Sequence, residues 1–210
     1  MIRILIVDDP DRVRHGLERI FEKTQGMKIV AEKNNGVDAL HWLRHNECDV
    51  ALLDISMPGI TGIEVLKQIH EEKPNLAILI LSNYPEDQYA VRLIKAGAAG
   101  YLTKGCATAI IVKAVREVAS GKKFFSPAVL EMLVNEISMP EEKLPHEILS
   151  DREFKIFLLL VAGKGVNEIA EQLFISNKTA STHKANLMVK MNLHNVSDLV
   201  RYAVKHGLAD

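Results

Sequence analysis

Asp8, Asp9, Asp54, Ser82 and Lys104 are residue types that can bind and accept a phosphoryl group. Carboxylates offer hard oxygen donors to a divalent cation, and one carboxylate can act as a nucleophile. A hydroxyl and an ammonium beside them suit the oxygens of a phosphoryl group, which the ammonium neutralises and the hydroxyl hydrogen-bonds. Each residue alone says little, because an acid pair after an apolar run is more often a solvated loop or a helix cap. Here, however, the residues recur at the ends of successive apolar runs. Asp8 and Asp9 follow "IRILIV", Asp54 follows "VALL", Ser82 follows "AILIL", and Lys104 comes just after "AGYL".

Those runs must position the residues. Ile2–Val7, Met27–Ala31, Val50–Leu53, Ala77–Leu81 and Ala99–Leu102 are short and apolar on both faces, as strands buried in a parallel sheet are. Between them lie segments with helical spacing: Val13, Leu17, Ile20, Phe21; Ala39, Leu40, Leu43; Ile63, Leu66, Ile69; and Ala90, Leu93, Ile94. Ile110, Ile111, Ala114, Val115 and Val118 close the series, and turn signals such as Met57-Pro58-Gly59 separate the elements. Alternation of this kind implies an α/β doubly wound five-stranded parallel sheet. Ligands of such sheets bind beyond the carboxyl ends of the strands, and in the usual order strands one and three are neighbours. The three carboxylates are therefore expected to converge. At ~4 Å and an effective dielectric of ~20, each like-charge pair costs about 4 kcal/mol. A divalent cation removes that cost, and an oxygen-only donor set points to Mg2+. Asp54, at the centre of the rim, is the candidate nucleophile. Asp8 and Asp9 would hold the metal, with the backbone carbonyl of Ser56 as a further ligand.

Beyond residue 120 the pattern changes. Ser126-Pro127 starts a short amphipathic segment through Ile137, and "SMPEEKLPHE" (138–147) is rich in proline and acid, as linkers are. From Ile148 every periodic segment is helical. The expected domains are therefore 1–120, a linker with a short helix over 121–147, and a small all-α domain over 148–210. Ser150 and Glu153 form a capping box before a helix whose core face carries Leu158, Leu159 and Val161. A second helix spans Val166–Leu173. The turn Phe174-Ile175-Ser176 then leads to a third helix, capped by Ser176 or Asn177, and together these read as a helix-turn-helix. In the third helix Ala180, Leu187 and Met191 form a buried stripe with His183 at its edge. Lys178, Ser181, Thr182, Ala185 and Asn186 lie elsewhere, short or polar, and short residues let a helix sit deep in a major groove. Lys178, Lys184 and Lys190 have no acid among them over 176–191, although a solvated basic face would show the same charge.

These motifs resemble known families. "VDD" (7–9), "LLDISMPGITGIEVL" (52–66), "ILS" (80–82) and "AGAAGYLTKG" (96–105) are similar to a response-regulator receiver domain. The resemblance implies a flavodoxin-like fold with Asp54 as the phosphorylation site, Asp8 and Asp9 as the acidic pair, Ser82 as the switch hydroxyl and Lys104 as the motif lysine. Tyr101 matches an aromatic that swings inward on activation. "LSDRE" and "GKGVNEIAEQLFISNKTASTHKANLMVKMN" resemble a LuxR-type helix-turn-helix of the NarL/FixJ family. On that match Lys178, Ser181, Thr182 and Ala185 face DNA, and Thr179 and Lys184 lie near its backbone. The final helix, Val196–His206, would form the dimer contact. The chain as a whole resembles a GacA-like two-component response regulator. The implied partners are a sensor histidine kinase, double-stranded DNA and a second copy of the chain, with RNA polymerase a further candidate. Two positions depart from the pattern: Pro10 stands where such regulators usually carry His, and Gly105 where many receivers carry Pro.

The bulk properties fit this reading and exclude others. The 210 residues are 48% hydrophobic and 25% charged with a formal net charge of −1, so any nucleic-acid contact must be a local patch. Cys48 and Cys106 lack metal-ligand spacing and read as reduced thiols of a cytoplasmic protein. No apolar run is long enough to span a membrane, and none has the form of a signal peptide. The competing enzyme class is an aspartyl-phosphate phosphatase, whose nucleophile belongs to a DxD motif after strand one. This chain has adjacent Asp8-Asp9 there, so the expectation is that it is not an enzyme. A receiver acting without phosphate as a dimerisation module is the other alternative.

Overall fold

The strand β1 (Ile2–Val7) forms because its inner residues have nowhere polar to face: Ile4, Leu5, Ile6 and Val7 are all fully buried. The computed structural model describes residues 1–57, 61–138 and 144–209, so the turn at Pro58-Gly59 and the middle of the expected linker lie outside the described residues. The chain divides into two compact units, Met1–Met132 and Leu133–Asp210.

In the first unit β1 is followed by α1 (Asp11–Glu22), β2 (Met27–Lys33), α2 (Gly36–His45), β3 (Val50–Leu53), α3 (Gly62–Glu72), β4 (Ala77–Ser82), α4 (Glu86–Lys95), β5 (Gly100–Thr103) and α5 (Thr108–Ala119). The strands are all parallel, in the order β2-β1-β3-β4-β5. The expected doubly wound sheet is therefore present. One strand differs from the expectation of burial on both faces: β2 is half-buried along most of its length. It is an edge strand whose one strand neighbour is β1, whereas the other edge, β5, is also covered by the segment at Phe124.

Register decides what the strand ends bring together. Val7 pairs with Leu53, Leu53 with Ile80, and Ser82 with Thr103. The ladder continues one step further, where the Asp54 N–H donates to the Val7 carbonyl at 2.9 Å. Asp8 and Asp54 are thus set side by side by backbone pairing. The helix α3 begins at a capping box, Thr61 with Glu64, and its first residue packs close against this edge. Gly62 permits the approach: a Cβ there would lie 2.4 Å from the Ile55 Cα and 2.8 Å from the Asp54 carbonyl oxygen.

The chain after α5 is bound to the sheet. Phe124 exchanges backbone hydrogen bonds with Ala99 and Tyr101, and Val129 is fully buried. α6 (Pro127–Ser138) begins with Pro127, whose fixed φ suits the first helical position.

The second unit contains α7 (Asp151–Val161), α8 (Val166–Gln172), α9 (Asn177–Met191) and α10 (Val196–Lys205). Phe154, Ile156, Phe157 and Leu160 fill the core side of α7 together with the expected Leu158 and Leu159. Val161, expected in that core, is half-buried, because α7 ends there and its last turn opens to solvent. Ser176 is the residue that caps α9, its hydroxyl accepting from the Thr179 N–H at 3.0 Å.

Glu153 joins the ends of this unit. It completes the capping box with Ser150, and one of its carboxylate oxygens accepts from the Lys190 ammonium at 2.6 Å. Burial pushes its carboxyl up, but Lys190 and the Ser150 donors outweigh this and hold it below the usual range. A depressed carboxyl stabilises the fold above its unfolded value of about 4.3, and that contribution is lost as pH falls through the lower folded value. Glu153→Ala should cost the helical unit about 1–2 kcal/mol near neutral pH, mostly through the cap. Urea unfolding of the full chain, followed by circular dichroism, should show the difference shrinking as pH falls below about 4.3. A difference that persists there would contradict the ionic origin.

Candidate functional site

The carboxyl edge of the sheet places one ammonium between two acids. Lys104 Nζ lies 2.7 Å from Asp8 Oδ2 and 2.9 Å from Asp54 Oδ2. Asp8 and Asp54 are 2% and 3% exposed, so this ion triplet is almost fully out of water. One lysine cannot balance two buried carboxylates. Burial, with the Asp54 charge adding to it, pushes Asp8 up to about 6 although Lys104 opposes the shift. Asp8 Oδ1 is buried and has no hydrogen-bond partner among the described residues. A buried, unsatisfied carboxylate oxygen in an electron-rich site is where a hard cation fits.

The expected convergence of three carboxylates is only partly present. Asp9 is exposed, and no cluster of three metal-binding side chains forms among the described residues. The physical reason is electrostatic: Lys104 compensates Asp8 and Asp54 together, while a third carboxylate gains by staying in water. The Ser56 N–H donates to Asp54 Oδ1 at 2.9 Å, so both oxygens of Asp54 are engaged.

Ser82 is fully buried, and its hydroxyl accepts from the Tyr84 N–H at 3.1 Å. The Tyr84 carbonyl in turn accepts from the Tyr101 hydroxyl at 2.8 Å. Tyr101 is 1% exposed, so its ring is turned inward. A continuous path of hydrogen bonds therefore links the rim at Ser82 to β5 through Tyr84. Sequence reasoning missed Tyr84, since its contribution is made by backbone atoms. It also missed Arg14, which donates to the carbonyls of both Asp8 and Asp9 at 2.6 Å. A cation one turn inside a helix N-terminus opposes the helix dipole, and that was the available signal.

On α9 the predicted residues share a solvent-facing side. Lys178, Thr179, Ser181, Thr182 and Ala185 are exposed and Lys184 is half-buried, whereas Ala180, Leu187 and Met191 face the core. His183 is half-buried at the edge of that stripe. Two hydroxyls are already used: Thr179 bonds Ser176, and Thr182 donates to the Lys178 carbonyl. Lys190 is drawn out of the basic run by its pairing with Glu153. The exposed side is extended by Val189, which is 81% exposed at the spacing of Lys178, Thr182 and Ala185.

Comparison with known proteins matches both halves. Residues 4–116 match the response regulator receiver domain, and residues 147–203 match the bacterial regulatory proteins of the luxR family. The chain is 38% identical over 211 aligned residues to the response regulator UvrY of Escherichia coli strain K12, covering all of this chain and 97% of that protein. It is 35% identical to the response regulator GacA of Pseudomonas viridiflava, covering all of this chain and 99% of that protein. Among solved structures it is similar to RcsB of Salmonella enterica serovar Typhimurium bound to the promoter P1flhDC in the presence of the phosphomimetic BeF3−. That similarity has a TM-score of 0.60 at 27% identity, over 96% of this chain and 97% of that one.

The unbalanced charge at the rim gives a direct test. A raised carboxyl costs stability above its folded pKa of about 6 and costs nothing below its unfolded value. In metal-free buffer near pH 8, Asp8→Asn should therefore stabilise the receiver unit by about 1–3 kcal/mol. The gain should fade as pH drops toward about 4. Chemical denaturation of the full chain with chelator present measures it, and a destabilised variant at alkaline pH would refute the charge argument.

Proposed function

Since the chain belongs to the response regulators that join a receiver domain to a LuxR-family DNA-binding domain, we propose that Asp54 accepts a phosphoryl group from a sensor histidine kinase and that the phosphorylated chain binds DNA as a homodimer to regulate transcription. The observation that carries this reading is the buried Asp54 carboxylate, held by Lys104 beside an unsatisfied oxygen of Asp8.

In the transfer, an Asp54 carboxylate oxygen forms a bond to phosphorus while the bond from phosphorus to the kinase histidine nitrogen breaks, and the imidazole leaves with the electron pair. Asp8, Asp9, Asp54 and the Ser56 carbonyl would hold Mg2+, which supplies neutralisation of the phosphoryl oxygens. Lys104, already at 2.9 Å from Asp54, follows the negative charge from carboxylate to phosphoryl. The Ser82 hydroxyl keeps its own proton available as a donor, because it accepts from Tyr84 through a lone pair. Drawing Ser82 toward the phosphoryl group pulls on Tyr84, and through its carbonyl on Tyr101. This is the path by which the surface around β5 would respond.

On DNA, Lys178 and Lys184 neutralise phosphates. Thr179 positions the N-terminal turn of α9, and Ser181, Thr182 and Ala185 meet base edges. Val200 and Val204 leave an exposed apolar face on α10, in keeping with pairing of two copies there. The reading places the protein in the cytoplasm, with RNA polymerase as a further partner. Among the described residues, no helix is long and apolar enough to cross a membrane. In this reading the chain serves as phosphoacceptor and regulator and not as an enzyme acting on a separate substrate.

A small-molecule phosphodonor with Mg2+ should add one acid-labile phosphate, visible by intact mass, and Asp54→Asn should take none. Multiple turnover of a phosphomonoester would replace this reading with an enzymatic one, and absence of any adduct would favour a phosphate-independent receiver. For the DNA contacts, Lys178→Ala should weaken binding to all sequences alike and reduce the salt slope by about 1. Fluorescence anisotropy across a salt series measures that slope, and an unchanged slope would remove Lys178 from the interface.

A further inference from the structure

We propose that Arg14 is a positioning residue for the metal site, clamping the chain between β1 and α1 so that the Asp8 and Asp9 carboxylates can serve one cation. The inference rests on the metal reading given above. Arg14 Nη1 donates to the Asp8 carbonyl and to the Asp9 carbonyl, each at 2.6 Å. Its second terminal nitrogen donates to the Asp11 carboxylate, and its Nε lies 3.5 Å from Glu32 on β2. Only 14% of the side chain is exposed.

Two features make this a positioning contact and not one more surface ion pair. First, successive carbonyls of an extended strand point to opposite sides. One nitrogen within hydrogen-bond distance of both shows that the alternation has ended and that two consecutive peptide planes have turned the same way. Those planes carry the Cα atoms of Asp8 and Asp9, so they set the directions in which the two carboxylates leave the chain. Second, the residue that opens the helix supplies no side-chain cap, although the Asp8 N–H donates to the Lys33 carbonyl and the Pro10 carbonyl accepts from Val13 and Arg14. The N-cap of α1 is Pro10, which makes no side-chain cap bond and has no N–H to donate. The fork of a guanidinium can satisfy two acceptors and a carboxylate at once, whereas a lysine ammonium is a point charge on a flexible stem. Arg14 also pairs with Asp11 and Glu32, whereas the Asp8 and Asp54 carboxylates are held by Lys104. The acid-rich turn is thus braced through its backbone, while Asp8 Oδ1 keeps no partner among the described residues.

Groups that orient metal ligands without touching the metal typically change affinity by about 10- to 100-fold when removed. The test is calorimetric titration of the full, unphosphorylated chain with Mg2+ alone, together with its melting temperature in chelator. Arg14→Met, which keeps the aliphatic stem, should bind Mg2+ at least about tenfold more weakly than wild type. Arg14→Lys, which keeps the charge, should recover only part of that loss. A merely structural brace would lower the melting temperature in chelator and leave Mg2+ affinity unchanged, and that result would overturn the proposal. Arg14→Lys binding as wild type does would overturn it too, because charge alone would then suffice. If wild type itself fails to bind Mg2+, the metal reading falls and the role of Arg14 falls with it.

Discussion

One buried ammonium, that of Lys104, reconciles the two buried carboxylates at the edge of the sheet. Removing a single partner from a buried ion cluster typically costs about 3–5 kcal/mol, because a charge is left without compensation in a poorly polarisable interior. The register of β1 against β3 forces Asp8 and Asp54 together whether or not they repel. Lys104 can answer that repulsion because β5 pairs with β4 and its end reaches the same rim; the Lys104 N–H donates to the Ser82 carbonyl. Charge balance at this edge is nonetheless incomplete, and the raised Asp8 carboxyl and its unsatisfied oxygen both express it.

The same rim is connected outward. Ser82, Tyr84 and Tyr101 are joined by two hydrogen bonds that use the N–H and the carbonyl of one residue, Tyr84. Gly62 serves this economy from the other side. Its missing side chain lets α3 press against Ile55 and Asp54, which leaves the strand end little room to shift. A site stiffened by helix and strand contacts can pass a local change in charge to a distant surface.

The helical unit follows a different logic. Its core is apolar and the outward side of α9 carries small side chains, so cohesion comes from Phe154, Phe157, Leu187 and Leu199 and from the capping carboxylate of Glu153. Glu153 holds Lys190 at the far end of α9 and so ties that helix to the start of α7. The outward side of α9 then remains short, with Ser181, Thr182 and Ala185 in a row. Lys190 belongs to the fold and not to the basic surface, which leaves Lys178 and Lys184 as the basic residues of α9's outward run.

Sequence alone determined the alternation of strands and helices, because burial of parallel strands on both faces writes near-continuous apolar runs such as "ILIV" and "VALL". It also determined which residues end those runs, since the chemistry of Asp8, Asp54, Ser82 and Lys104 is visible as residue type and spacing, and it marked the cap at Ser150 while leaving Ser176 and Asn177 open for α9. Tertiary structure alone decided how they meet. That Lys104 bridges Asp8 and Asp54 while Asp9 stays in water depends on distances of a few ångströms between residues far apart in the chain. That Arg14 and Tyr84 bond into the rim depends on backbone carbonyls and N–H groups, which every residue possesses; the one mark in the sequence was the cation of Arg14 one turn inside a helix N-terminus. The half-exposure of β2 and the capture of Lys190 by Glu153 have the same origin: each is set by what packs alongside, and neighbours across a fold leave no periodic mark in the sequence.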